Sequence, residues 1–211
     1  MFSGHEVTSA SDLDLLAAIL GNRRTAETML RKAKGSLFAL LHQEAAQESE
    51  DLFCAEGRRA WPGDPFFKLH AARELAARSL AEELQHRDAL NSPLAVRRLL
   101  SLRMAGLGYE VFSVILLDAQ HRVIEVRELF RGTLTQTSVY PREVVKAALK
   151  ANAAAVIFAH NHPSGVAEPS SADEMLTRTL KSALSLVDVQ TLDHFIVAGT
   201  KTLSFAERGL L

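Results

Sequence analysis

The stretch His160-Asn-His162-Pro-Ser-Gly-Val-Ala-Glu-Pro-Ser170-Ser-Ala-Asp173 holds the side chains best suited to chemistry. Two histidines at i and i+2 of an extended chain point to the same side, so their imidazoles can converge on one ion. Ten residues separate His162 from Asp173, a loop long enough to fold back and bring a carboxylate to that ion. Two His and one Asp leave a fourth tetrahedral position for water, the pattern of a catalytic rather than a structural zinc site. A hydrolytic site also needs a base for that water. Glu110 opens the apolar run EVFSVILLD, where a carboxylate is otherwise poorly placed; Glu125, Glu128 and Glu143 stand in more polar surroundings. Ser170 can donate its hydroxyl to the oxyanion of a tetrahedral intermediate. Ser170-x-x-Asp173 is equally the spacing of a helix capping box, and the two roles can coexist.

Other polar residues have simpler explanations. His194 follows Asp193 at the start of an apolar run and reads first as a satisfied core histidine, with a place behind a metal ligand as the alternative. His5, His42, His70, His86 and His121 read as surface residues. Asn161 and Ser164 orient the loop, and Gly165 supplies its turn. Cys54 has no histidine nearby in sequence to activate it as a nucleophile. Arg58-Arg59 beside Trp61 fits a solvated loop better than a nucleic-acid contact. The string His-Asn-His does not make an HNH nuclease, in which those three residues are spread over tens of positions.

The elements that must position these residues fall into two regions. Leu13, Leu16, Ala17 and Leu20, then Leu37, Leu40 and Leu41, follow helical spacing, with Ser11 as a cap and breaks at Gly21-Asn22 and Gly35-Ser36. Residues 47–66 are rich in polar and turn residues, and a long helix is predicted from about Phe67 to Arg87. We read residues 1–90 as a small helical region. Beyond it, Glu110–Asp118 and Arg122–Phe130 read as strands joined by a turn at Ala119–His121. A helix should run from Pro141 to about Asn152. AAVIFA (154–159) has the length of a buried strand, and a helix over Ser171–Leu186 precedes strands near 190–197 and 202–204. Strands interleaved with helices imply an α/β fold on a mixed sheet.

Composition bounds the function classes. Of 211 residues, 47% are hydrophobic and 23% charged, a balance expected of a soluble globular chain. No apolar run reaches the ~18 residues of a membrane helix, and no export signal is visible at MFSGHEVTSASDLD. A single cysteine fits a reducing cytoplasm. Residues 1–90 carry 11 Lys/Arg against 14 Asp/Glu, and the remainder 13 against 11, so neither half has the charge of a nucleic-acid-binding module.

The pattern Glu110…His160-x-His162-x(7)-Ser170-x-x-Asp173 resembles the signature of the JAB/JAMM, or MPN-domain, metallopeptidases. AHNHPSG (159–165), VYPREVVKAAL (139–149), LDHFIV (192–197) and SFAERG (204–209) are similar to the bacterial RadC-like family, over about residues 92–211. The resemblance implies a three-layer α/β/α, cytidine-deaminase-like fold in residues 91–211 and one zinc ion per chain. It also implies hydrolysis of a peptide or isopeptide bond in an unknown peptide or protein substrate. It assigns His160, His162 and Asp173 as ligands, Glu110 as acid/base and Ser170 as oxyanion donor. RadC-like proteins also carry a helix-hairpin-helix element with a Gly-x-Gly hairpin. Here Gly57 and Gly63 are too far apart for one, so residues 1–90 read as a degenerate version and DNA binding is not supported by charge. The alternatives are a DNA repair or recombination factor using the JAB domain as a scaffold, and a non-catalytic scaffold; the complete motif argues against the second.

Overall fold

The computed structural model describes residues 4–42, 64–86, 88–89, 92–132 and 139–211. Cys54, Gly57, Arg58, Arg59, Trp61 and Gly63, and the side chain of His5, lie outside the described residues. The chain forms two compact units, Met1–Ala76 and Ala77–Leu211.

The first unit contains helices α1 (Gly4–Ser9), α2 (Asp12–Leu20), α3 (Arg23–Lys32) and α4 (Leu37–His42), with the first half of α5 (Pro65–Gln85). The breaks are local chemistry. Ser11 accepts the Asp14 amide at the start of α2, and Gly21 ends that helix in the left-handed region at φ 73°. Asn22 then caps α3 by accepting from the Thr25 amide. Leu16, Leu20, Ala26, Met29, Leu40 and Leu69 form the core of this unit. Lys68 Nζ satisfies the terminal Leu20 carbonyl of α2 at 2.6 Å. His42, read from the sequence as a surface residue, is half-buried and stacks on Phe38 with ring centroids 4.4 Å apart.

The second unit holds a five-stranded mixed sheet in the order β2-β1-β3-β4-β5. The strands are β1 (Val111–Leu117), β2 (Val123–Arg131), β3 (Ala155–Asn161), β4 (Gln190–Ala198) and β5 (Lys201–Ser204). Only the β3–β4 pair is parallel. Its crossover contains α8 (Ser171–Ser185), while α7 (Pro141–Lys150) leads from β2 into β3. Both helices bury a stripe at helical spacing, Val144, Ala147 and Ala148 on α7 and Thr177, Leu180 and Leu184 on α8. These meet Phe112, Val114, Leu116, Val156 and Phe158, the even-numbered face of β1 and β3. The opposite face is covered by α6 (Pro93–Met104), whose Arg97 guanidinium lies 5.2 Å from the ring of Phe195. The layers are therefore α/β/α. No sequence expectation covered α6, although Pro93 stands in its first turn. β1 and β3 are buried along their whole length, which is why both read as continuous apolar runs rather than as alternating ones.

The C-terminal segment is fastened to β4 by a buried acid. Asp193 Oδ1 accepts the His194 and Ala206 amides at 2.7 and 2.9 Å, and Oδ2 accepts the Ser204 hydroxyl at 2.6 Å. Phe205 stacks on His194 at 4.8 Å. LDHFIV and SFAERG are thus two halves of one packing unit. Asp193→Ala removes the acceptor of two amides and of the buried Ser204 hydroxyl, and should lower unfolding stability by about 2–3 kcal/mol in urea titrations.

Candidate metal centre

The site forms where β3 runs out. His160 closes the strand on the face covered by α7 and α8, and His162 follows two residues later on the same side. Their Nε2 atoms lie 2.9 Å apart. The α8 N-terminus brings in Asp173, whose Oδ1 is 3.3 Å from His160 Nε2 and whose Oδ2 is 3.6 Å from His162 Nε2. Donor atoms around a tetrahedral zinc lie about 3.3 Å from one another, and these three side chains present donors on that scale, Asp173 turning a different oxygen to each imidazole. The donor set of two imidazoles and one carboxylate is also one that zinc takes.

The three side chains are held differently. His162 Nδ1 lies 2.8 Å from the Val166 carbonyl, which only accepts, so Nδ1 carries a hydrogen and Nε2 is the atom turned to His160 and Asp173. The turn that returns Val166 has Gly165 at φ 76°, and the Gly165 amide donates to the His162 carbonyl at 3.0 Å. His160 is buried, and its Nδ1 lies 2.8 Å from His194 Nε2. His194 in turn has Nδ1 2.6 Å from Thr177 Oγ1, which donates to the Asp173 carbonyl at 2.6 Å. His194 is thus both a core histidine and a neighbour of a candidate ligand. Burial, and then the adjacent His160, hold its pKa well below the ordinary histidine range.

Asp173 is fixed by the capping box that its spacing to Ser170 predicts. Its Oδ2 accepts the Ser170 amide and hydroxyl at 2.7 and 2.6 Å, while the Asp173 amide donates to Ser170 Oγ at 3.2 Å. Burial works to raise the Asp173 pKa, but the adjacent His160 and His162 imidazoles prevail and hold it well below the usual carboxylate range. The bond to Asp173 is the main cause that raises His162, with Glu110 a smaller one.

Glu110 stands one residue before β1, not within it. The β1–β3 register pairs Phe112 with His160, so Glu110, two residues before Phe112, comes to the same end of the sheet as His160. Among the described residues, no hydrogen bond or ion pair engages its carboxylate. Its backbone is clamped by a residue that sequence reasoning assigned only to loop orientation. Asn161 Oδ1 accepts the Val111 amide at 2.7 Å and Nδ2 donates to the Tyr109 carbonyl at 2.9 Å, one on each side of Glu110. The next residue leaves β1 altogether, its amide donating to the Val197 carbonyl of β4 at 2.8 Å. The sheet parts at Asn161, with Glu110 on one lip and His162 on the other.

The model of the RadC-like JAB domain matches residues 90–210. The chain belongs to the RadC-like JAB-domain family. It is similar to a UPF0758 protein of Nitrosomonas eutropha, 52% identical over 206 residues, covering 97% of this chain and 91% of that one. It is similar also to UPF0758 proteins of Aromatoleum aromaticum (54% over 211 residues; 95% and 89% covered) and of a Polaromonas strain (50% over 209 residues; 95% and 89%). The aligned stretches take in the helical unit as well as the JAB domain. Among the described residues, no helix is long and apolar enough to cross a membrane.

A zinc ion at these donors would have to displace the proton that Asp173 favours on His162. Apparent zinc affinity, measured by chelator competition, should fall as pH is lowered, with the loss beginning above the 6.5 of an unperturbed histidine. His162→Ala should lose stoichiometric zinc; full retention contradicts the assignment of His162.

Proposed function

We propose that the JAB domain is a zinc-dependent hydrolase of peptide or isopeptide bonds, with His160, His162 and Asp173 as ligands. The observation that carries the reading is a three-donor cluster with a second carboxylate, Glu110, close enough to act on His162 electrostatically yet outside the cluster. Family membership supports the bond class.

When bound, the ion supplies Lewis acidity, which acidifies water and polarises a substrate carbonyl. The chain's own residues supply the proton handling and orientation. Glu110 accepts a proton from water between the lips of the sheet and returns it to the leaving amine. The Asn161 clamp on Tyr109 and Val111 keeps the Glu110 backbone in place during both transfers. Ser170 supplies a hydroxyl donor for the developing oxyanion. That hydrogen points to Asp173 Oδ2, so Ser170 reaches a substrate only by rotating about χ1 or by sharing the hydrogen. His162, tied to Val166, keeps its orientation throughout.

Glu110→Gln should leave zinc content unchanged and reduce hydrolysis by about 10²–10⁴-fold. The checking measurement is metal analysis beside turnover of a panel of isopeptide-linked and linear peptide substrates. Wild-type rates in the variant contradict Glu110 as the base.

A further inference from the structure

Thr177 and His194 lie outside the motif that marks the site, yet they join the backbone of α8 to the far side of His160. The direction of every hydrogen along this path follows from its first member. A carbonyl oxygen only accepts. The Thr177 hydroxyl therefore directs its single hydrogen to the Asp173 carbonyl, 2.6 Å away. Its oxygen is left to accept from His194 Nδ1 at 2.6 Å. His194 is fully buried against Phe112, Phe158 and Phe205, a setting that keeps an imidazole uncharged with one hydrogen. With that hydrogen on Nδ1, His194 Nε2 can only accept, and His160 Nδ1, 2.8 Å away, must donate. A neutral His160 then carries its hydrogen on Nδ1 and a lone pair on Nε2, the atom that faces His162 and Asp173. The three phenylalanine rings, edge-on and stacked, keep the His194 ring from turning over.

We infer that Thr177 and His194 are positioning residues that fix the tautomer of His160, so that Nε2 is offered as a ligand. The inference rests on the reading of His160 as a zinc ligand. The same threonine reports on Asp173, because it bonds the backbone of the residue whose carboxylate completes the donor set. One helical turn thus sets the approach of a carboxylate and, through β4, the lone pair of an imidazole.

The path makes a specific prediction for Thr177→Val, which keeps the shape and removes the hydroxyl. His194 Nδ1 loses its acceptor, and the ring relaxes by moving its hydrogen to Nε2. That hydrogen then points at His160 Nδ1 and drives the His160 hydrogen onto Nε2, into the metal site. The test is two-bond ¹⁵N–¹H correlation of the histidine rings in the full metal-free chain. It is paired with zinc affinity from chelator competition. The wild type and Thr177→Ser should show Nδ1–H at both His194 and His160. Thr177→Val should show Nε2–H at both, and bind zinc about 10–100-fold more weakly.

An Nε2–H tautomer of His160 in the wild type overturns the inference whether or not the variant folds. Unchanged zinc affinity in Thr177→Val overturns it while leaving the ligand reading intact. A wild-type chain that takes up no zinc overturns the ligand reading first, and this one with it.

Discussion

The second unit is organised around a strand that is fully buried yet ends in polar residues. His160 and Asn161 are each only 2% exposed, at the end of β3, with β1 on one side and β4 on the other. Polar groups in that position must find partners inside the protein. Each finds them on a different element: His160 on β4 and α8, Asn161 on the chain entering β1. Satisfying the strand end therefore also gathers Glu110, His162 and Asp173 around it. Packing and chemistry are served by the same hydrogen bonds, and the apolar strand AAVIFA supplies the rigid floor.

The mixed connectivity of the sheet makes this gathering possible. Because β1 runs antiparallel to β3, its N-terminal end, with Glu110, lies beside the C-terminal end of β3. Because β4 runs parallel to β3 through α8, the N-terminus of that helix arrives at the same end, with Asp173 in its first turn. An acid in the first turn of a helix is also favoured by the helix dipole. The capping box, the helix dipole and the two imidazoles all favour the ionised form of Asp173.

Much of this was legible in the sequence because it is local. Alternation placed both histidines on one side, Pro141 and Ser170 marked helix starts, and continuous apolar runs marked the two buried strands. The edge strand β2, with its mostly half-buried and exposed side chains, was found from its composition and turn. What escaped depends on register or on distant contacts. The Asn161 clamp needs the alignment of residues fifty positions apart, and the path through Thr177 and His194 joins α8 to β4 and β4 to β3. A capping-box spacing cannot say whether Ser170 also serves chemistry, because the same geometry satisfies both. The helix over Pro93–Met104 was missed although its proline signalled it, and His42 was assigned to the surface because its stacking on Phe38 is not visible in polarity alone.

His160, His162 and, from the start of α8, Asp173 are proposed to hold one zinc ion beside the end of β3. Anomalous scattering at the zinc edge from crystals of the full chain tests this assignment most directly. One peak per chain is expected, about 2.0–2.2 Å from the Nε2 atoms of His160 and His162 and from the Asp173 carboxylate. A zinc-supplemented protein with no peak there, or with its zinc on other residues, contradicts it.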